Sequence, residues 1–136
     1  MVNNKKYMES LKVDFRIQAD ILNQLNKVIQ KENEKSNNAN KSNLLDIGLT
    51  VIFSNPAMKD TIETSENTYK NRPIKEYPRT TFTLHNPIAI KELEALQRFD
   101  KGMYVETALL YVIEKLEAGQ FKELMIEYIN AGGVLI

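Results

Sequence analysis

The chain has 136 residues with 18 basic and 18 acidic side chains, no cysteine and one histidine. A balanced charge counts against a nonspecific nucleic-acid coat protein but permits a sequence-specific binder with cations on one face. The lack of cysteine excludes disulfides and thiolate metal sites. The N-terminus has no secretory h-region, and no apolar run approaches the roughly 18 residues of a membrane span. We therefore expect a cytoplasmic protein without membrane contact.

The first predicted elements are a strand and two helices. Residues 12–17 alternate apolar and polar side chains, which is the period of a half-buried strand. Apolar residues then recur at helical spacing over residues 19–31, and the polar, asparagine-rich segment 32–41 predicts a loop. Ser42 is placed to cap a second helix, which Asn55-Pro56 ends.

A linker and a second strand follow. Residues 55–78 show no sustained period, so we predict a linker with at most a short helical turn. Residues 79–84 alternate again and are rich in β-branched side chains, which predicts a second strand.

Three further helices complete the chain. Asn86-Pro87 is a strong helix start, and the apolar face of that helix extends to Phe99. The sequence Asp100-Lys101-Gly102 predicts a turn before a helix over residues 104–118, which Gly119 ends. A last helix covers about residues 121–130.

The order strand, helix, helix therefore occurs twice. One such unit is unstable alone, because its strand has two unpaired edges and about 50 residues bury too little surface. We expect the two strands to pair as a two-stranded antiparallel β-ribbon with four helices beneath one face, which makes a mostly α fold. The predicted parts are a first unit (11–54), a linker (55–78), a second unit (79–119), and a C-terminal helix and tail (120–136).

The exposed side of such a ribbon carries the candidate functional residues. They are Lys12, Asp14, Arg16, Arg79, Thr81 and Thr83. A two-stranded ribbon fits the major groove of B-DNA, where Arg and Lys donate to guanine, Thr contacts base edges and Asp accepts from cytosine. The free amides at the starts of the second helices, near Ser42 and Val105, would bind phosphates and fix the register.

These segments resemble the ribbon-helix-helix (Arc/MetJ/CopG) superfamily. The resemblance rests on residues 12–25 and 40–45 in the first copy and on residues 79–84 and 102–109 in the second. It implies a tandem ribbon-helix-helix protein, similar to TraY-type conjugation accessory proteins, that binds double-stranded DNA through the six outward strand residues. A transcriptional regulator or repressor of a plasmid or other mobile element is the function it implies first.

Other functions stay open. A conjugation or partition accessory would bind DNA in the same way, and an antitoxin-like module would bind protein instead. The strands could also be edge strands of a small α+β domain with no nucleic-acid role, and the exposed cations could be solvated surface charges. Homo-oligomers along repeated DNA sites and a protein partner at the C-terminal helix are further expectations.

Enzymatic chemistry has no support in the sequence. The chain has one histidine, no cysteine and no glycine-rich phosphate loop, so we expect no catalytic residues, metal site or cofactor. His85 lies at a strand-to-helix junction, where a structural role or a phosphate contact is expected.

Overall fold

The computed structural model describes residues 10–134, apart from the side chains of Glu66 and Asn67. It is mostly helical with a two-stranded antiparallel sheet, as predicted. The elements are β1 (Leu11–Arg16), α1 (Ala19–Glu34), α2 (Lys41–Phe53), α3 (Pro56–Thr64), α4 (Glu66–Lys70), a 3-10 turn (Ile74–Glu76), β2 (Arg79–Leu84), α5 (Pro87–Glu94), α6 (Arg98–Glu117) and α7 (Phe121–Asn130).

The two strands pair within one chain. The antiparallel register runs from Leu11 opposite Leu84 to Arg16 opposite Arg79. Because side chains alternate between the two faces of a strand, the apolar residues share the inner face. The inner residues Phe82 and Leu84 of β2 are fully buried, whereas Phe15 of β1 is half-buried. The sequence period placed both strands to within one residue.

The helices of the two halves interlock around one core. α2 packs along α6 at the centre, while α1 packs on α6 and α5 packs on α2. Every residue from Leu44 to Phe53 of α2 is buried, as expected of a helix that is surrounded by others. Each half therefore completes the core of the other, which overcomes the small surface that either could bury alone.

The predicted turn at residues 100–102 is wrong. α6 begins at Arg98 and continues through Gly102, and the break between α5 and α6 lies at residues 95–97. A Cβ at Gly102 would lie 2.6 Å from Oη of Tyr69. The ring of Tyr69 also meets Phe99 edge to face, with 5.3 Å between centroids. The glycine thus permits close packing inside a helix and does not mark a turn.

Residues 55–78 are more ordered than the predicted linker. They form α3, α4 and the 3-10 turn, and Ile62 and Tyr69 are buried against the core. Arg72 donates two hydrogen bonds to the buried carboxylate of Glu106 on α6, one of them from Nη2 at 2.9 Å. The segment that links the two strands is therefore fixed to the second half by packing and by an ion pair.

The helix caps follow the sequence with one exception. Asn86 caps α5 as predicted, by accepting from the amides of Ile88 and Ala89. α2 begins two residues earlier than expected, and its cap is Asn40, whose side chain accepts from the amide of Asn43 at 2.8 Å. The expectation that Ser42 is the cap is therefore wrong.

The C-terminal helix is part of the core. Leu124 and Tyr128 are buried, and Oη of Tyr128 accepts a hydrogen bond from Nδ2 of Asn86 at 2.9 Å. None of the helices in residues 10–134 combines the length and the apolar character that a membrane crossing needs.

Gly48 gives the first prediction. A Cβ at this position in α2 would lie 2.7 Å from the carbonyl oxygen of Ala108 and 3.0 Å from Cγ2 of Val112 on α6. We expect Gly48→Ala to lower the free energy of unfolding by about 2 kcal/mol, because the added methyl forces α2 and α6 apart. Urea unfolding measures the change. Asn23→Ala on the exposed side of α1 is the control, and an equal effect of the two substitutions would contradict the close contact.

Alkaline pH gives the second prediction. Burial and a hydrogen bond from Oη of Tyr104 to Glu63 raise the pKa of Tyr104 to about 12, above its ordinary value of 10.0. Between these values the unfolded chain loses the phenolic proton first, so the free energy of unfolding falls as pH rises. Urea unfolding at about pH 9 and about pH 11 should show this fall, and Tyr104→Phe should reduce it. An unchanged pH dependence in Tyr104→Phe would show that this phenol is not involved.

Candidate nucleic-acid interface

The six outward strand residues lie together on one side of the ribbon. They form three directly opposed pairs, and we call them the ribbon face: Lys12 with Thr83, Asp14 with Thr81, and Arg16 with Arg79. Five of these side chains are exposed and Thr83 is half-buried. Residues from two distant parts of the sequence are thus brought into one surface by the register alone.

The ribbon face is cationic, and its charge is concentrated at one end. Arg16 and Arg79 stand opposite each other, an arrangement that is unfavourable across strands without an anion between them. Nη1 of Arg16 donates to the carbonyl oxygen of Tyr77 at 3.1 Å. Arg79 has no hydrogen bond or ion pair to another described residue. This guanidinium is available to an external anion or acceptor.

Asp14 is the one carboxylate of the ribbon face. It accepts a hydrogen bond from the hydroxyl of Thr81 on the opposite strand. Lys12 and Arg16 lie two residues away on either side, so they flank it on the same face. The negative charge is thereby surrounded by cations, and the carboxylate can still accept further hydrogen bonds.

The first turn of α2, which contains Ser42, adjoins the ribbon. Oγ of Ser42 accepts a hydrogen bond from the backbone amide of Thr83 at 2.9 Å. Nζ of the preceding Lys41 donates to Oγ1 of Thr80 at 2.7 Å. These contacts hold β2 against the positive end of the α2 dipole. Phosphate binding at this helix start remains a prediction.

The corresponding expectation for Val105 is wrong. Val105 is fully buried within α6, far from the start of that helix at Arg98. The first turn of α6 instead carries Arg98 and Lys101, two cations that the sequence analysis did not single out. The sequence feature that indicates these cations is the run Arg98-Phe99-Asp100-Lys101. Because Gly102 follows this run, the sequence predicts a turn there and not a helix start.

A cavity of about 690 Å³ opens beneath the arginine end of the ribbon. Its walls combine aromatic side chains with cations. The cations are Arg16, Arg79, Arg98 and Lys101. This cavity could not be predicted from the sequence, because its lining residues come from β1, α4, the 3-10 turn, β2 and α6.

Within residues 10–134, no three His, Asp or Glu side chains are grouped so that they could hold a metal ion. The side chain of His85 is exposed, while its backbone amide donates to Asp46 at 2.9 Å. Burial raises the pKa of Asp46, although two backbone amides oppose the effect. Asp46 thus anchors the junction between β2 and α5.

Comparison of the chain with protein-family models, with curated proteins and with solved structures gives no match. The assignment of this surface therefore rests on its geometry and charge.

Ser42 gives a prediction about the interface. Ser42→Ala removes the acceptor of the Thr83 amide, so we expect a loss of about 1 kcal/mol in the free energy of unfolding. Exchange of the Thr83 amide hydrogen, followed by NMR, should become faster. Ser65→Ala is the control, because the hydroxyl of Ser65 bonds an exposed carbonyl of Thr61. An unchanged exchange rate for Thr83 would show that the hydroxyl does not hold the strand.

Proposed function

We propose that this protein binds double-stranded DNA sequence-specifically, with the ribbon face in the major groove. One observation carries the proposal: six polar and charged residues form three opposed pairs on the uncovered side of an isolated two-stranded ribbon. Such a ribbon has the width that the major groove of B-DNA admits. An exposed pair of opposed arginines is costly unless an anion or acceptor comes between them.

The chemistry of each pair matches a class of contact with base edges. Arg16 and Arg79 can donate to O6 and N7 of guanine, and Thr81 can contact the thymine methyl. Asp14 can accept from the amino group of cytosine. The start of α2 lies beside β2 and offers backbone amides for a phosphate, which would fix the ribbon's register on the duplex.

The interlocked packing favours a tandem ribbon-helix-helix arrangement. α1 packs on α6 and α5 on α2, so that each first helix covers the second helix of the other half. This exchange is what two paired strand-helix-helix units need for a common core. In this proposal, residues 11–54 and 79–119 are the two units.

Within this proposal, the protein acts as a transcriptional regulator of a plasmid or other mobile element. A conjugation or partition accessory role uses the same ribbon and differs only in which DNA site is bound. Neither role requires an enzyme activity or a cofactor.

A protein-interaction module, such as an antitoxin, is the second candidate. It is favoured by the outer side of α7, where Ile126 is 52% and Ile129 is 50% exposed. The two residues lie three apart on the helix and therefore adjoin each other, and contiguous exposed apolar residues of this kind mark interaction surfaces. The ribbon face has no role in that function, which separates the two candidates.

The test is selection from a pool of random DNA duplexes, followed by fluorescence anisotropy with the enriched sequence. Arg16→Ala combined with Thr81→Ala should weaken binding at least about 30-fold, because two base contacts of about 1–3 kcal/mol each are removed. Wild-type binding should also weaken steeply between about 50 mM and about 200 mM salt.

The control variant is Lys31→Ala with Thr64→Ala, which changes exposed residues of α1 and α3 outside the ribbon. It should bind the enriched duplex as the wild type does. Equal loss in both variants would contradict the role of the ribbon face. Failure of the pool to enrich any sequence would contradict DNA recognition and favour the interaction module.

A further inference from the structure

The cavity beneath the ribbon differs from the surface that would meet DNA. Its volume of about 690 Å³ is within the range of sites for small molecules. Val13 and Phe15 reach it from the inner side of β1, and Tyr69 and Phe99 line it from α4 and α6. An aromatic and aliphatic wall of this kind is of no use to a phosphate, but it suits a flat apolar body.

The charge of the cavity is as distinctive as its apolar wall. Four cations line it, and one carboxylate, that of Asp14, is already hydrogen-bonded to Thr81. The side chains of Arg79, Arg98 and Lys101 form no hydrogen bond or ion pair with other residues of the described part. Cations left unpaired beside an apolar surface favour an anionic group from outside the protein.

We propose that this cavity binds a small aromatic carboxylate. The ring lies against Tyr69 and Phe99, which are already in edge-to-face contact with 5.3 Å between their centroids. The carboxylate is held by Arg98 and Lys101 of the first turn of α6, where the positive end of the helix dipole adds to the attraction.

The same site is coupled to the ribbon face. Arg16 and Arg79 belong both to the cavity wall and to the ribbon face. A carboxylate held by Arg98 and Lys101 places its negative charge in the cavity that these two guanidinium groups also line, and so lowers the affinity of the ribbon for DNA. This coupling rests on the proposed DNA binding, whereas the ligand site itself does not.

A fluorescence titration of the DNA-free protein tests the site with two probes. One is 1-anilinonaphthalene-8-sulfonate, an aromatic anion, and the other is N-phenyl-1-naphthylamine, its uncharged counterpart. The anion should bind one site about 10-fold more tightly than the uncharged probe, a factor that corresponds to one charge-assisted hydrogen bond. Benzoate and naphthoate should displace it.

Arg98→Ala with Lys101→Ala should abolish this preference for the anion. The control is Lys27→Ala with Lys31→Ala, which removes two lysines from a separate, more polar cavity of about 630 Å³. The control should leave the preference intact. Equal affinity of the wild type for the two probes would overturn the proposal, even if the variants failed to fold.

The coupling is tested separately, by adding naphthoate to the complex with the enriched duplex. Release of DNA from the wild type but not from the Arg98→Ala, Lys101→Ala variant is the expected result. If that variant loses DNA affinity yet keeps its preference for the anionic probe, these cations serve the DNA backbone and the proposed ligand site is overturned. If no duplex is enriched at all, the probe titration still decides the ligand site on its own.

Discussion

The antiparallel pairing of β1 with β2 is the constraint on which the other features depend. The sheet has these two strands, and each satisfies only half of its backbone groups by pairing with the other. The edge of β2 is protected where Ser42 accepts from the Thr83 amide, and beyond the end of the ribbon the Ile17 amide donates to the carbonyl of Pro78 at 3.0 Å. The helices cover the inner face and leave the outer face open.

Features with a local cause could be predicted from the sequence. The alternation of apolar and polar side chains in residues 12–17 and 79–84 predicts both strands and the face on which each side chain lies. This holds because side chains alternate along a strand whatever surrounds it. The start of α5 follows from the hydrogen bonds that the Asn86 side chain accepts from nearby amides. The end of α6 follows from Gly119, which adopts a positive φ. The residues of the ribbon face could therefore be predicted from the sequence.

The errors share a different cause, which is tertiary contact. Gly102 was assigned to a turn because glycine most often interrupts a helix, yet here it makes room for the ring of Tyr69. That error moved the start of α6 and placed Val105 at an exposed helix end. Tyr69 itself lies in the segment that was assigned as a linker, because short helices held by packing and by the Arg72–Glu106 ion pair have little periodicity of their own.

The two halves share an order of elements but not a shape. α2 packs directly beneath β2, where Phe82 is fully buried, whereas a cavity separates β1 from the start of α6. The helices of residues 55–78 account for this difference, since Tyr69 and Ile74 stand at the cavity wall. Departure from twofold symmetry is thus concentrated at the arginine end of the ribbon.

Because the paired strands differ in sequence, the ribbon face has a direction. Two identical strands related by a dyad would repeat each side chain at both ends, but here both arginines stand at one end and a lysine faces a threonine at the other. A molecule lying along the ribbon meets an electrostatic gradient and has one preferred orientation. If that molecule is DNA, as we propose, its site needs no palindrome, and the bound protein distinguishes upstream from downstream.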